Sequence, residues 1–196
     1  SGVGIAADQI EAIFGEFTRL GEVEAEGLGL GLALAERIVR LLGGRIDPTG
    51  KFVYAGAQDN KIVRWDLASD AKLELTGHDS WVRGFAFSKA GAVVISFAWD
   101  GRLIWWNAAS EPPTPIRTVE AHLGWIRAAV VSPDGQTLAT CGNDLKVKLW
   151  NIDDGALIKE FTGHERHVYH VAFHPDGKQL VAGDLSSRYL HWDLTT

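Results

Sequence analysis

The chain has 196 residues, of which 46% are hydrophobic and 22% are charged, and its formal net charge is −6 at pH 7. This length allows one domain or two small ones, and the apolar fraction excludes wholesale disorder. No apolar run approaches the ~20 residues that a membrane span needs, and an acidic chain is a poor ligand for nucleic acid, so we expect a cytoplasmic protein that binds neither membrane nor nucleic acid.

Two further features of the composition bear on disulfide bonding and on the origin of the chain. The single cysteine, Cys141, excludes an intrachain disulfide, and its apolar neighbours indicate a small core residue. The sequence contains no methionine and begins at Ser1, which we interpret as a fragment or a processed product of a longer chain.

The first 46 residues have helical patterning and contain none of the chain's seven histidines or eight tryptophans. One apolar helical face is formed by Ile10, Ile13, Phe14 and Phe17. A second helix is predicted from Leu30 to Leu42, where Gly43 and Gly44 end it. We therefore expect a short two-helix α/β fragment at this end.

A glycine-rich run precedes the second helix. Gly27, Gly29 and Gly31 alternate with leucines there, so backbone N–H groups could approach a phosphate at the helix N-terminus. Taken by itself, this pattern is equally typical of a flexible hinge.

Four segments in this region follow one another in a particular order: 1–5, 13–20, 27–32 and 37–46. In this order they resemble the C-terminal half of the ATP-binding domain of sensor histidine kinases, in the Hsp90-like ATPase superfamily. The resemblance implies that Gly2 and Gly4 line the adenine side, that Phe14 and Phe17 belong to the ATP lid, and that Gly27, Gly29 and Gly31 face the phosphates.

Three parts of that family's machinery have no counterpart here. The Asp that reads adenine is expected two residues before Gly2, and the Asn that holds magnesium is expected further upstream. No histidine precedes His78, so a phospho-acceptor histidine is also missing from this part of the sequence. We therefore expect no cofactor for the isolated chain, and ATP and Mg²⁺ only where upstream residues supply those groups. The missing groups argue against an enzyme, and the question of enzymatic activity stays open at this point.

The rest of the chain repeats. Trp65, Trp106, Trp150 and Trp192 are spaced by 41, 44 and 42 residues, and turn glycines keep the same register. A Gly-His or Ala-His pair recurs at His78, His122 and His164, spaced by 44 and 42 residues. This period is typical of one four-stranded propeller blade. We place the domain boundary so that 1–46 form the kinase-type segment and 47–196 form a partial propeller.

Strands alternate with turns from residue 47 onward. The predicted strands are 52–57, 61–66, 82–88, 92–98, 103–107, 126–131, 137–141, 145–151, 168–173, 179–182 and 189–193, with outer strands near 72–75, 116–119 and 157–161. We expect a mainly β fold of about four consecutive blades with the outer two incomplete. The first blade would lack its innermost strand and the last its outermost, which leaves 14 strands.

These repeats resemble WD-repeat β-propellers in their Gly-His pairs, their turn Asp and their Trp-Asp or Trp-Asn strand ends. The resemblance implies a buried hydrogen-bond network in each blade: His78, Ser96, Asp100 and Trp106, then His122, Thr140, Asp144 and Trp150. In the last blade Ser186 stands at the position of the turn Asp, so the network is not expected there.

The repeated His and Asp residues are interpreted as structural, because buried polar groups must be paired. No catalytic residue is therefore assigned. Four histidines lie near one another in sequence: His164, His167, His170 and His174. Strand alternation brings only His170 and His174 to one face, so no metal site is predicted.

Residues at equivalent positions of successive repeats are used to predict the rim of the propeller. The protein-binding rim is predicted to consist of Trp81, Arg83, Trp99, Trp125, Arg127 and Tyr169. Asn143 is the equivalent of Trp99 in the next repeat. Exposed Trp, Tyr and Arg are the residues that binding hot spots favour, although aromatic residues can also simply cover blade edges.

Three hypotheses for the function follow. The first is a protein-interaction scaffold of WD repeats joined to an inactive kinase-type remnant, with proteins or peptides bound at the rim and self-association through open blade edges. The second is an ATP-binding fragment of a bacterial sensor histidine kinase, acting in signal transduction by phosphotransfer and carrying a propeller module. The third is an artificial chimera without evolved function.

Overall fold

A computed structural model describes residues 44–88 and 91–195 of the chain. The two predicted helices lie outside these residues, as do the seven nucleotide-site candidates: Gly2, Gly4, Phe14, Phe17, Gly27, Gly29 and Gly31. Within the described residues all regular structure is β-strand.

Fifteen strands follow one another along the described chain. They are β1 Gly44–Ile46, β2 Phe52–Gly56, β3 Ile62–Asp66, β4 Lys72–Leu75, β5 Val82–Phe87, β6 Val93–Ala98, β7 Arg102–Asn107, β8 Thr114–Glu120, β9 Ile126–Val131, β10 Thr137–Gly142, β11 Val147–Asn151, β12 Leu157–Phe161, β13 Val168–Phe173, β14 Gln179–Asp184 and β15 Tyr189–Asp193.

The strands form four antiparallel sheets in which each strand pairs with the next one in sequence. The first three sheets have four strands each, and the fourth consists of β13, β14 and β15. We call these sheets blades 1 to 4. Four blades of WD type are thus confirmed as the fold class.

The innermost strand of blade 1 is present, and its predicted absence was wrong. Strand β1 pairs with β2 so that Gly44 lies opposite Ala55 and Ile46 lies opposite Val53. The described residues therefore contain 15 strands, not 14. A strand of three residues is too short to show an alternating pattern, and Gly43–Gly44 was read as the end of a helix.

The blades are held together by apolar layers between neighbouring sheets. The inner strands β1, β5, β9 and β13 are consecutive neighbours. Ile95, Leu103 and Trp105 of blade 2 form one buried cluster with Ile126 and Leu138 of blade 3. The indole Nε1 of Trp105 also donates a hydrogen bond of 2.8 Å to the carbonyl of Ile152, which ties the two blades together.

Cys141 belongs to the layer between blades 3 and 4. Its side chain is fully buried together with Val147 and Leu180. Burial raises the pKa of the Cys141 thiol to about 12, so the thiolate that would react or bind metal does not form near neutral pH.

No helix among residues 44–88 and 91–195 has the length and apolar character required to cross a membrane. The cytoplasmic location of the chain stays a prediction.

Candidate functional site

The histidine of blade 2 lies at the centre of a buried chain of hydrogen bonds. His78 Nδ1 lies 2.9 Å from Asp100 Oδ2, and His78 Nε2 lies 2.8 Å from Ser96 Oγ. Trp106 Nε1 donates to the same hydroxyl at 2.9 Å. Because a carboxylate only accepts, Nδ1 is the donor, and the Ser96 hydroxyl accepts from Trp106 while it donates to Nε2.

Blade 3 repeats this arrangement with a threonine. His122 lies 2.8 Å from Asp144 and 2.7 Å from Thr140 Oγ1, which also accepts from Trp150 Nε1 at 2.8 Å. All polar groups of the network are paired inside the blade, so none is directed at a substrate. The geometry is that of a structural network.

Blade 4 retains the ion pair but lacks the hydroxyl. His164 Nδ1 lies 2.9 Å from Asp184 Oδ2, so an aspartate pairs with this histidine although Ser186 stands at the turn position. Asp184 reaches it from two positions upstream, and Ser186 Oγ donates to the other oxygen of Asp184 at 2.6 Å. Ala182 occupies the register position of Thr140, and His164 Nε2 has no hydrogen-bond partner in the described chain.

The carboxylates of these networks have lowered pKa values. Burial raises the pKa of Asp100, but the hydrogen bonds from His78, from the N–H of Arg102 and from the N–H of Asp79 outweigh it. The pKa of Asp184 is lowered first by the Ser186 hydroxyl and then by His164. These groups stay charged at neutral pH and are partnered rather than reactive.

Within residues 44–88 and 91–195, no group of three or more His, Cys, Asp or Glu side chains is arranged to hold a metal ion. His164 is bound to Asp184, and His174 Nδ1 lies 2.8 Å from Asp176 Oδ1.

Three of the predicted rim residues form a stack of indoles. The ring centroids of Trp81 and Trp99 are 4.6 Å apart, and those of Trp99 and Trp125 are 4.0 Å apart at an interplanar angle of 5°. Trp81 and Trp125 are 37% and 38% exposed, so the outer members of the stack are open to solvent. We call these three residues the tryptophan stack.

The backbone explains why the stack forms. The N–H of Trp99 donates to the carbonyl of Trp81 at 3.0 Å, and the N–H of Asn143 donates to the carbonyl of Trp125 in the same way. Each inner strand is thus fixed to the turn of its own blade at equivalent points. The indoles that these points carry in blades 2 and 3 consequently lie side by side.

Arg127 continues the stack towards blade 4. Its guanidinium carbon lies 4.5 Å from the centroid of the Trp125 ring and 4.4 Å from that of Tyr169. Its Nε donates to Asn143 Oδ1 at 2.7 Å, which fixes the plane of the guanidinium. Arg83, the last of the predicted rim residues, is exposed on β5.

The comparisons with known proteins agree with this architecture. The family model described as WD domain, G-beta repeat matches residues 70–107, 113–151 and 155–193, which together exceed half of the chain. The chain therefore belongs to the WD-repeat family. Each matched range begins at or just before the outer strand of one blade and ends with the third strand of the next, so every repeat links two blades.

A second family model, described as histidine kinase-, DNA gyrase B- and HSP90-like ATPase, matches residues 1–64. Both resemblances deduced from the motifs are thus confirmed. In the structure, residues 44–64 of this range form strands β1 and β2 and part of β3 in blade 1.

Curated relatives are WD-repeat proteins. Protein groucho of Drosophila melanogaster is 25% identical over 154 residues, which cover 76% of this chain and 21% of that protein. Small ribosomal subunit protein RACK1y of Oryza sativa subsp. japonica is 31% identical over 209 residues, covering 74% and 62% respectively. The guanine nucleotide-binding protein subunit beta of Zea mays is 28% identical over 130 residues, covering 62% and 34%. The chain spans less than two thirds of the length of each of these relatives.

Two features of the site were not found from the sequence. The pairing of His164 with Asp184 was missed because Asp184 lies outside the register that Asp100 and Asp144 set; a second acid within the same hairpin was the available signal. Arg45 lines the same groove as Arg83 and Arg127, and this was missed together with strand β1.

Proposed function

We propose that the WD repeats of this chain form a protein-interaction scaffold that binds a protein or peptide partner through the tryptophan stack and the adjoining Arg127 and Tyr169. The stack is the observation that carries the proposal, because two exposed indoles, Trp81 and Trp125, stacked on either side of Trp99 form a rigid apolar patch. Trp, Tyr and Arg are enriched among the hot-spot residues that dominate binding energy at protein interfaces.

The relatives support the same class of function. The rice and maize proteins are, by their names, subunit proteins of a ribosomal subunit and of a guanine nucleotide-binding protein. Their repeats therefore belong to assemblies, and we extend that role to this chain.

The test begins with a peptide selected against the chain from a displayed random library. The double variant Trp81→Ala with Trp125→Ala should raise the Kd of that peptide at least about tenfold by fluorescence anisotropy. The matched control is Leu157→Ala with Ile158→Ala, two apolar residues of β12 that are 50% and 55% exposed. Equal losses in both variants, or no loss in the tryptophan variant, would refute the proposal.

We also propose that the chain self-associates through the open side of blade 4. Ala139 in blade 3 is fully buried beneath blade 4, whereas its register equivalent in blade 4, Val181, is 39% exposed. Tyr189 on the same face is 73% exposed, and no described strand pairs with the outer edge of β15. An uncovered sheet face and an unpaired edge favour association with another copy.

Light scattering over a concentration series tests this association. The mass should rise with concentration, fall to that of a monomer in Val181→Lys with Tyr189→Lys, and stay unchanged in the tryptophan double variant. A monomeric mass at every concentration would contradict the proposal.

The isolated chain is not proposed to bind ATP. Residues 44–64 of the ATPase-like match are committed to blade 1, where Tyr54 is 1% exposed and its ring contacts Phe85 and Phe87 at centroid distances of 5.8 and 5.6 Å. That packing against blade 2 supports the expectation that the isolated chain does not bind ATP. Calorimetry with Mg-ATP should give no heat of binding, and micromolar affinity would revive the kinase-fragment hypothesis.

A further inference from the structure

The inner strands of all four blades line one groove. Its volume is about 420 Å³, within the range of ligand pockets, and its walls come from β1, β5, β9 and β13. The apolar lining is provided by Phe85, Phe97, Ala128 and Ala129. Phe97 lies against Gly84, where an added Cβ would come within 2.6 Å of its ring, so the glycine leaves room for the phenyl group.

The charges of the groove are of one sign. Arg45, Arg83 and Arg127 line it on three successive inner strands, and His170 on β13 lines it as well. None of the described lining residues is acidic. This cationic surface occurs in a chain whose formal net charge is −6, so it is not a consequence of overall composition.

Two of the groove arginines, Arg83 and Arg127, have N–H groups to which no described residue is hydrogen-bonded. Arg83 is exposed and forms no hydrogen bond or ion pair with any described residue. Among the described residues, Arg127 donates a hydrogen bond only from Nε, to Asn143, so no described residue occupies its two terminal nitrogens. Because the Trp125 and Tyr169 rings hold its guanidinium in place, little side-chain entropy is lost when an anion binds there.

We infer that this groove binds the acidic side chains of a peptide segment of the partner that contacts the tryptophan stack. The inference rests on the proposed function, because Arg127 borders both surfaces and makes them continuous. The guanidinium groups pair with Asp or Glu carboxylates, which bind Arg through two parallel hydrogen bonds.

The experiment uses a short fluorescein-labelled peptide in which Glu alternates with apolar residues. A second peptide carries Gln in place of each Glu. The glutamate peptide should bind more tightly than the glutamine peptide, and its affinity should fall as salt is added. Equal affinity of the two peptides would overturn the assignment of acidic side chains.

Variants locate the binding to the groove. Arg83→Gln should weaken binding of the glutamate peptide about fivefold or more, as expected for loss of one charge-assisted contact. Arg117→Gln is the matched control, because Arg117 is an exposed arginine on the outer strand β8. Equal effects of the two variants would overturn the proposal.

The tryptophan double variant separates this inference from the proposed function. If Arg83→Gln weakens the glutamate peptide but the tryptophan variant leaves it unchanged, the groove is retained and the proposed rim surface fails. If only the tryptophan variant weakens binding of the glutamate peptide, the proposed rim surface is supported and the assignment of the groove to acidic side chains is refuted.

Discussion

The hydroxyl of Thr140 serves two buried groups at once, since it lies 2.7 Å from His122 Nε2 and accepts from Trp150 Nε1 at 2.8 Å. Thr140→Val keeps the shape but leaves both groups unpaired. We expect the free energy of unfolding to fall by about 1–3 kcal/mol for each group, measured by urea denaturation. Thr118→Val, at an exposed position on β8, should change it by less than about 0.5 kcal/mol. Equal effects at the two threonines would contradict the role of the network.

Blade 4 allows the opposite experiment, in which a missing hydroxyl is added instead of an existing one being removed. Ala182 stands where blade 3 has Thr140, and His164 Nε2 is buried without a partner in the described chain. Ala182→Ser should supply the missing hydroxyl and raise the free energy of unfolding by about 0.5–1.5 kcal/mol. A loss of stability would show that Trp192 and His164 are not placed as their counterparts are.

The lowered pKa values of the network carboxylates make the stability of the fold depend on pH. Burial raises the pKa of Asp144, but the hydrogen bond from His122 and the N–H of Lys146 outweigh it and hold this pKa below its usual value. A carboxylate with a lowered pKa contributes its full stability above its unfolded pKa of about 3.9, and the contribution is lost as the pH falls through the folded value.

Asp144→Asn should therefore lower Tm at neutral pH and show a smaller fall of Tm between about pH 5 and about pH 2 than the native chain. Asp153→Asn is the control, because Asp153 is exposed and no described residue donates a hydrogen bond to its carboxylate. Parallel Tm curves for the native chain and Asp144→Asn would contradict the assignment.

At the scale of elements, the hairpin between β6 and β7 fits closely against the start of blade 3. Gly101 has a φ of +82°, and a Cβ added there would lie 2.3 Å from the carbonyl oxygen of His122 and 2.8 Å from that of Gly124. The N–H groups of Ala121 and His122 both donate to the carbonyl of Gly101. The turn thus fixes the segment that carries the next network histidine.

Gly101→Ala should consequently cost far more than a backbone strain of about 1 kcal/mol, because backbone oxygens cannot move aside. Gly50 provides the comparison: its φ is +70°, but no atom lies within 4 Å of an added Cβ. Thermal unfolding of Gly50→Ala and Gly101→Ala measures the difference. A similar Tm for the two variants would contradict the close packing of blades 2 and 3.

Most strands could be predicted from the sequence because the repeat period fixes their positions. The exception is strand β1, where that period gives no information. Outer strands such as β8, mostly exposed, were located because the 41–44-residue period fixes their place, not because of their own pattern. Strand β1 has neither the period before it nor the length for alternation. The contacts of Arg127 with Trp125 and Tyr169 bring together side chains from neighbouring blades, and a one-dimensional register cannot give such distances.

At the scale of the whole molecule, the repeat places equivalent residues of successive blades beside one another. The inner strands carry arginines into one groove, and the adjoining turns carry the tryptophan stack. Neither surface exists within a single blade. The binding function proposed here is therefore a property of the arrangement of blades, and blade 4, with its open face, is where further chain or a second copy is expected to add.

Hydrogen–deuterium exchange with and without the selected peptide tests the central claim most directly, because it reports the bound surface without any substitution. We predict slower exchange at 81–85, 99, 125–129 and 169–170, where the tryptophan stack and the groove lie. The outer strands β8 and β12 should exchange as in the free chain. Protection confined to those outer strands, with none at the stack or the groove, would contradict the account.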